Sequence, residues 1–302
     1  FIFGSYQGLT NHAEAQSVQA LVPTAAQRSG DFTGLGTTLV NPTDPLTGKP
    51  LTDSNGIPCV SGNRIAPGCI SPVANNLLQY VPNSTTGSVV SLASSPLTEN
   101  LGILRADWNV SDNNRISGHY YQNQNNHATP FAGGGNISGY IGETFEVATK
   151  QATVSDTHTF SPTVVNQLVF SVLNTNSNEL ESKTIEPSTL GINMPQYLPG
   201  GAVSVNVGND FTLGTGYTTK FTGTNYQIRD SLSWIKGRHN FKFGAESLML
   251  NFRQIFIGPP SFSFTGVRSG DPMADFMLGA FDSLNLDFGV RDNNDYTTYN
   301  SF

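Results

Sequence analysis

NYQIRDSLSWIKGRHNFKFGAESLMLNFR, Asn225 to Arg253, decides how the chain is read. In its first arm Tyr226, Ile228, Leu232 and Trp234 share one parity, and Gln227, Arg229, Ser231 and Ser233 the other. Period two places one face of a strand against an apolar medium and the other against water. Lys236-Gly237-Arg238-His239 forms a tight polar turn, after which Phe241, Phe243 and Ala245 alternate with Lys242, Gly244 and Glu246. Each arm is read as about ten residues, roughly what a tilted strand needs to cross a bilayer. Trp234 and Phe241 cluster beside the turn and Tyr226 at the far end, as in the aromatic girdles of a membrane barrel. A hairpin of a soluble sandwich shows the same alternation, so this stretch alone leaves two readings open. Asp230 has the apolar parity, which counts against a lipid face. After Glu246 the pattern flips, with Leu248, Leu250 and Phe252 on the polar parity, and a bulge or register change is expected there.

Composition narrows the classes. The chain has 302 residues, of which only 12% are charged, about half the usual share. Its 31 glycines and many Asn, Thr, Ser, Phe and Tyr suit an apolar outside and a wet inside, or a low-complexity adhesin. A net charge of −7 without any Lys/Arg-rich run gives no general attraction to nucleic acid. No apolar run is long enough for a transmembrane helix. The sequence begins and stops inside strand-like runs, Phe1–Tyr6 and Tyr296–Phe302, and is read as an internal piece of a longer protein.

Other strands follow the hairpin's rule. Leu104, Ala106, Trp108 and Val110 oppose Ile103, Arg105, Asp107 and Asn109; Ile116 and Tyr120 oppose Arg115, Ser117, His119 and Tyr121; Leu168, Phe170 and Val172 oppose Gln167 and Ser171. Glu143–Thr159 is a Thr-rich strand with weaker alternation. The connections then sort themselves. Short ones lie at Ser111–Asn114, Ser161–Thr163 and Lys236–His239, long ones near 9–100, 125–142, 176–223 and 254–287, and the two kinds alternate without exception. In an antiparallel meander every short turn falls on one rim and every long loop on the other, the asymmetry of outer-membrane barrels. A soluble sandwich has no reason to sort its loops this way. The long connections are turn-rich, with short helical pieces only at Val73–Tyr80 and Pro272–Leu278. The reading is all-β: an antiparallel meander of about eight strands, forming part of a transmembrane barrel with long extracellular loops.

With these residues laid out, the chain resembles a stretch of the Oar-like TonB-dependent receptors, outer-membrane barrels of the acidobacterial type. The matching segments are FIFGSYQGL (1–9), VPTAAQRSGDF (22–32), DPLTGKP (44–50), NRIAP (63–67), ISPVANNLLQYVPN (70–83), LRADWNVSDNNRISGHYY (104–121), HTFSPTVVNQLVFS (158–171), SLSWIKGRHNFKFG (231–244) and DPMADFMLG (271–279), in the family's order. The resemblance implies a plugged transporter barrel of about 22 strands. It also implies outer-membrane lipid, an extracellular solute and, through N-terminal parts not in this sequence, the TonB complex as partners. The family's N-terminal domain, plug and TonB box have no counterpart here. A surface adhesion protein without transport and a secreted soluble β-rich protein remain the competing readings.

G-x-S-x-G, P-loop, H-E-x-x-H and EF-hand patterns do not occur in the sequence, so no enzyme and no cofactor is expected. His12, His119, His127, His158 and His239 lack ligand spacing. Asp292-Asn293-Asn294-Asp295 offers oxygens to calcium but is read as a solvated loop, and Gly133–Gly135 as a flexible one. Cys59 and Cys69, in a Pro/Gly-rich loop, favour a local disulfide over free thiols, and no zinc site. The candidate functional residues are the charges of polar parity, Arg105, Asp107, Arg115, Arg229, Lys242 and Glu246, which would line a barrel's lumen. Cross-strand pairing that merely solvates the wall is the plainer account of each.

Overall fold

A computed structural model describes residues 1–12, 16–34, 36–131, 134–183, 185–194, 202–214, 218–286 and 290–302. In chain order the elements are β1 (Ile2–Asn11), β2 (Gln16–Leu21), α1 (Ala25–Arg28), β3 (Val60–Ser61), β4 (Arg64–Ile65), α2 (Pro72–Leu78), β5 (Ser88–Ala93), β6 (Leu97–Ser111), β7 (Asn114–Thr129), β8 (Glu143–Ser161), β9 (Val164–Glu181), β10 (Ser204–Val207), β11 (Phe211–Leu213), β12 (Thr218–Lys236), β13 (His239–Ile257), β14 (Ser261–Phe264), α3 (Pro272–Leu278), β15 (Ser283–Asn285) and β16 (Arg291–Ser301).

Eight long strands make one antiparallel sheet in the order β1-β6-β7-β8-β9-β12-β13-β16. Neighbours in space are neighbours among the long strands of the sequence, so the sheet is a meander. Its short reversals are the Asp112-Asn113, Pro162-Thr163 and Gly237-Arg238 turns, all on one rim. Gly237 has φ +63°, a conformation that favours glycine at a two-residue reversal. β1 and β16 stand at opposite edges, and both are exposed along their whole length.

Because paired residues share a face, the register shows which side chains lie together. Gly4, Leu104, Tyr120, Ala152, Val172, Tyr226 and Met249 form one row across the sheet. Ile2, Ala106, Gly118, Val154, Phe170 and Ile228 form the next. Trp234 pairs with both Val164 and Phe241 at the turn rim. These side chains are not covered by a second layer: Trp108 is 65% exposed, Phe170 48% and Trp234 36%. A sandwich would bury them together, and that reading is excluded. So much apolar surface on a single sheet needs a non-aqueous neighbour.

Two expectations are corrected. β12 and β13 run nineteen residues each rather than about ten. Beyond Tyr226 the apolar face gives way to Thr224, Thr222 and Lys220, which extend the ladder without extending the apolar band. The bulge expected after Glu246 is also missing, since β12 and β13 pair without a break from Lys236↔His239 to Thr218↔Ile257. Leu248, Leu250 and Phe252 therefore lie on the polar face itself, where Phe252 meets Phe221 edge-on, ring centres 4.2 Å apart. The irregularities fall instead at Asn109/Ser111 and Thr159/Ser161, beside turns.

The buried apolar core lies wholly outside the eight-stranded sheet. It is built by the long connections, with Phe32, Ile137, Tyr140, Leu190, Phe211, Phe276 and Met277 among its most covered members. β11-β10-β14-β15 form a small sheet inside it, and β2 pairs with β5. What reads as turn-rich loop is thus a packed unit at the rim opposite the short turns. Local chemistry fixes it. Thr24 and Gln27 cap α1 reciprocally, Ser71 and Asp271 cap α2 and α3, and Ser71 N–H donates to the Met277 carbonyl at 2.8 Å. Arg28 donates to the carbonyls of Pro23, Leu78, Val81 and Pro82 at 2.9–3.3 Å and so ties α1 to the end of α2. Cys59 and Cys69 are disulfide-bonded with Cα atoms 5.6 Å apart.

Candidate functional site

The polar face of the sheet carries charge in two groups near the short-turn rim. In the first, the Asp107 carboxylate accepts from Arg105 Nε at 2.9 Å and Nη2 at 3.1 Å, and from Arg115 Nη2 at 3.0 Å. Arg105 and Asp107 sit two apart on β6, and Arg115 on β7 is register partner to Asn109, so all three project on one face. The two guanidinium groups leave Asp107 only 8% exposed while each stays about half exposed. Phe1 and Phe3 flank the cluster in a shallow concavity.

The second group spans β12 and β13. Arg229 stands opposite Glu246, and Lys242 opposite Ser233, all on the polar face. Gln227 donates to Glu246 Oε1 at 2.9 Å. Arg229, Lys242 and Glu246 line a concavity together with Gln167, Ser231, Gly244 and Ser301. A Cβ at Gly244 would come within 2.8 Å of the Asp230 carbonyl, so the close strand approach requires glycine there. The six charged candidates therefore resolve into a triad, Arg105–Asp107–Arg115, and a set of Arg229, Lys242 and Glu246, rather than one site. Between them the face is hydroxylic: Thr153 and Ser171 hydroxyls meet at 2.9 Å.

Sequence reasoning missed a third feature, in the packed unit of long connections. A cleft opens between α1, the 86–87 turn, β11 and the N-terminus of α3, with Val22, Phe32 and Met273 as its apolar floor. Asp31, Asp210 and Asp271 project at its margin. Asp31 pairs with Arg64 at 3.0 Å, and Asp271 caps α3 through Ala274 N–H at 2.9 Å. Burial, and secondarily the Asp271 charge, pushes the Asp210 carboxyl up to about 6. The three residues lie far apart in sequence in stretches without periodicity, so no sequence signal could have joined them.

Other candidates are resolved by position. Asp292–Asp295 is strand, not loop; Asp292 takes a bidentate bond from Arg253, Nε at 2.9 Å and Nη2 at 2.7 Å, across the β13–β16 ladder. His119 is in the Arg105 row, while His158 engages Asn114 at 3.2 Å on the apolar face. Gly133 lies outside the described residues. Among the described residues no group of three His, Cys, Asp or Glu side chains is arranged to hold a metal.

The geometry is that of a wall: one sheet, apolar on one side, hydroxylic and charged on the other, with a folded unit on one rim. Comparison with known proteins agrees. The family model of the outer membrane beta barrel domain matches residues 1–302. No curated protein and no solved structure matches the chain. The apolar face is therefore the lipid face, and the protein resides in the bacterial outer membrane. The chain belongs to the outer membrane β-barrel domain family.

Proposed function

We propose that this domain is the wall and outer surface of a TonB-dependent receptor, which binds a solute in its extracellular unit and passes it through the lumen. The observation that carries the reading is the sorting of the chain: three turns of two residues on one rim, and on the other a unit with its own buried core and a cleft. A simple porin has no need of a folded unit there, whereas a receptor needs a preorganised surface. The charged groups of the lumen supply a polar lining for a plug or a passing solute. Further strands, pairing with the exposed edges β1 and β16, complete the barrel. The segments shared with Oar-like receptors support the same reading.

A surface interaction protein without transport is the second reading, favoured by the size of the extracellular core. The two separate on coupling to TonB. The purified full-length protein is expected to bind the periplasmic C-terminal domain of TonB in gel filtration. Absence of that complex, with the barrel shown folded by its heat-modifiable migration, would leave the interaction protein.

A further inference from the structure

The lipid face carries a polar patch where a lipid-facing wall should be most apolar. Tyr226 and Trp234 mark the two aromatic levels on β12, and Asp230 lies midway between them. The row through it reads Ile116, Asp156, Leu168, Asp230 and Ala245, so a second carboxylate lies in the same row two strands away, about 6 Å nearer the turn rim at a strand spacing of ~4.8 Å and a tilt near 40°. The next row toward the turns adds Asn114, His158 and Asn166 before returning to Leu232 and Phe243. At about 3.3 Å per residue and a strand tilt near 40°, Asp230 lies roughly 10 Å inside either aromatic level. Headgroups do not reach that depth.

The patch is only partly self-satisfied. Asn166 Nδ2 donates to Asp230 Oδ1 at 2.7 Å, and the Asn114 amide engages His158. One oxygen each of Asp156 and Asn114 has no hydrogen-bond partner. Between the aromatic levels the described lipid face holds no Lys or Arg; the nearest on β8 and β12 are Lys150, above the Ala152 row, and Lys236, at the turn. Two carboxylates within the apolar band, with no Lys or Arg among the described residues between the aromatic levels and only the His158 imidazole beside them, call for a cation from outside.

We infer that the β8–β9–β12 face is a docking surface for another outer-membrane protein, one whose own membrane-facing wall presents Arg or Lys with hydrogen-bond donors. Charge complementarity chooses this occupant. A second copy related by a two-fold axis would set carboxylates against carboxylates and bring no cation. The inference rests on the outer-membrane placement of the sheet and not on transport.

Nitroxide accessibility tests it. A spin label is attached at Leu168→Cys, between the two carboxylates, in the full-length protein in its native outer membrane; Met249→Cys, elsewhere on the lipid face, is the reference. The label at 168 is expected to be several-fold less accessible to oxygen than the one at 249, and inaccessible to a water-soluble nickel chelate. It should rise to the reference level in the purified protein in phosphatidylethanolamine/phosphatidylglycerol vesicles. It should also rise in native membranes carrying Asp156→Asn and Asp230→Asn, which keep size and remove charge. Four results overturn the inference: lipid-like oxygen access in native membranes, nickel access showing a watery patch, protection that persists in vesicles and so comes from a second copy, or protection indifferent to the Asn substitutions.

Discussion

Trp234 and Phe241 face each other across the last hairpin, ring centres 5.5 Å apart, three residues from the turn on either strand. Lys236 reaches back over the indole at 5.3 Å, which places its ammonium at the water side of the ring. The pair thus sets the level at which the apolar band stops. A double-mutant cycle of Trp234→Ala and Phe241→Ala, read from urea unfolding of the barrel in vesicles, should show a coupling of about 1 kcal/mol. Additive effects would mean that the rings do not act as a unit.

Phe170 and Gln167 both lie on β9 and point to opposite media, so the same substitution should behave oppositely at the two. Phe170→Arg puts a guanidinium into lipid and should cost about 2–4 kcal/mol of folding stability. Gln167→Arg stays on the polar face at a partly exposed position and should cost under about 1 kcal/mol. Equal losses at both positions would deny the two-faced wall.

Arg28 holds the packed unit of long connections together through four backbone carbonyls on two segments. Lys cannot reproduce a fork that spans Pro23, Leu78, Val81 and Pro82. Arg28→Lys and Arg28→Ala should both loosen the unit by roughly 1.5–3 kcal/mol. The check is limited proteolysis of intact cells: cleavage in the 22–83 region should accelerate while the barrel remains heat-modifiable.

Asp210 predicts how the unit responds to pH. Its folded carboxyl is raised to about 6 from the ordinary aspartate value of 3.8, so the folded unit binds a proton more tightly than the unfolded one. The resulting penalty is fully present above about pH 6, and it fades as pH falls toward 4. With the group close to half exposed, the effect is roughly 1 kcal/mol after solvent screening. Hydrogen exchange of β11 should slow between pH 7 and pH 4.5, after correction for intrinsic rates, and Asp210→Asn should abolish that gain.

The wall was legible in the sequence and the packed unit of long connections was not, for one physical reason. A lipid-facing strand repeats its chemistry every two residues, so Leu104-Ala106-Trp108 and Tyr226-Ile228-Leu232-Trp234 announce both face and register. Residues that build a core from irregular segments obey no period: Phe32, Tyr140, Leu190 and Phe276 meet only in three dimensions. Several segments behind the family resemblance proved to be the joints of that unit: Arg28 in VPTAAQRSGDF grips carbonyls in ISPVANNLLQYVPN, and Ser71 meets Met277 of DPMADFMLG. Local reading also erred at Glu246, where the flip in pattern marked apolar residues on the polar face and not a bulge. Asp230 also stood at odds with the membrane reading, and only the register shows that Asp156, His158 and Asn166 share its neighbourhood.

Cysteine accessibility along β12 tests the account most directly. Single cysteines from Tyr226 to Trp234, in the full-length protein in intact outer membranes, are treated with a charged, water-soluble maleimide. Positions 227, 229, 231 and 233 should label, and positions 226, 228, 232 and 234 should stay protected until detergent strips the lipid. Labelling of the Tyr226–Ile228–Leu232–Trp234 set from water, or protection that ignores parity, would contradict a single sheet standing between lipid and lumen.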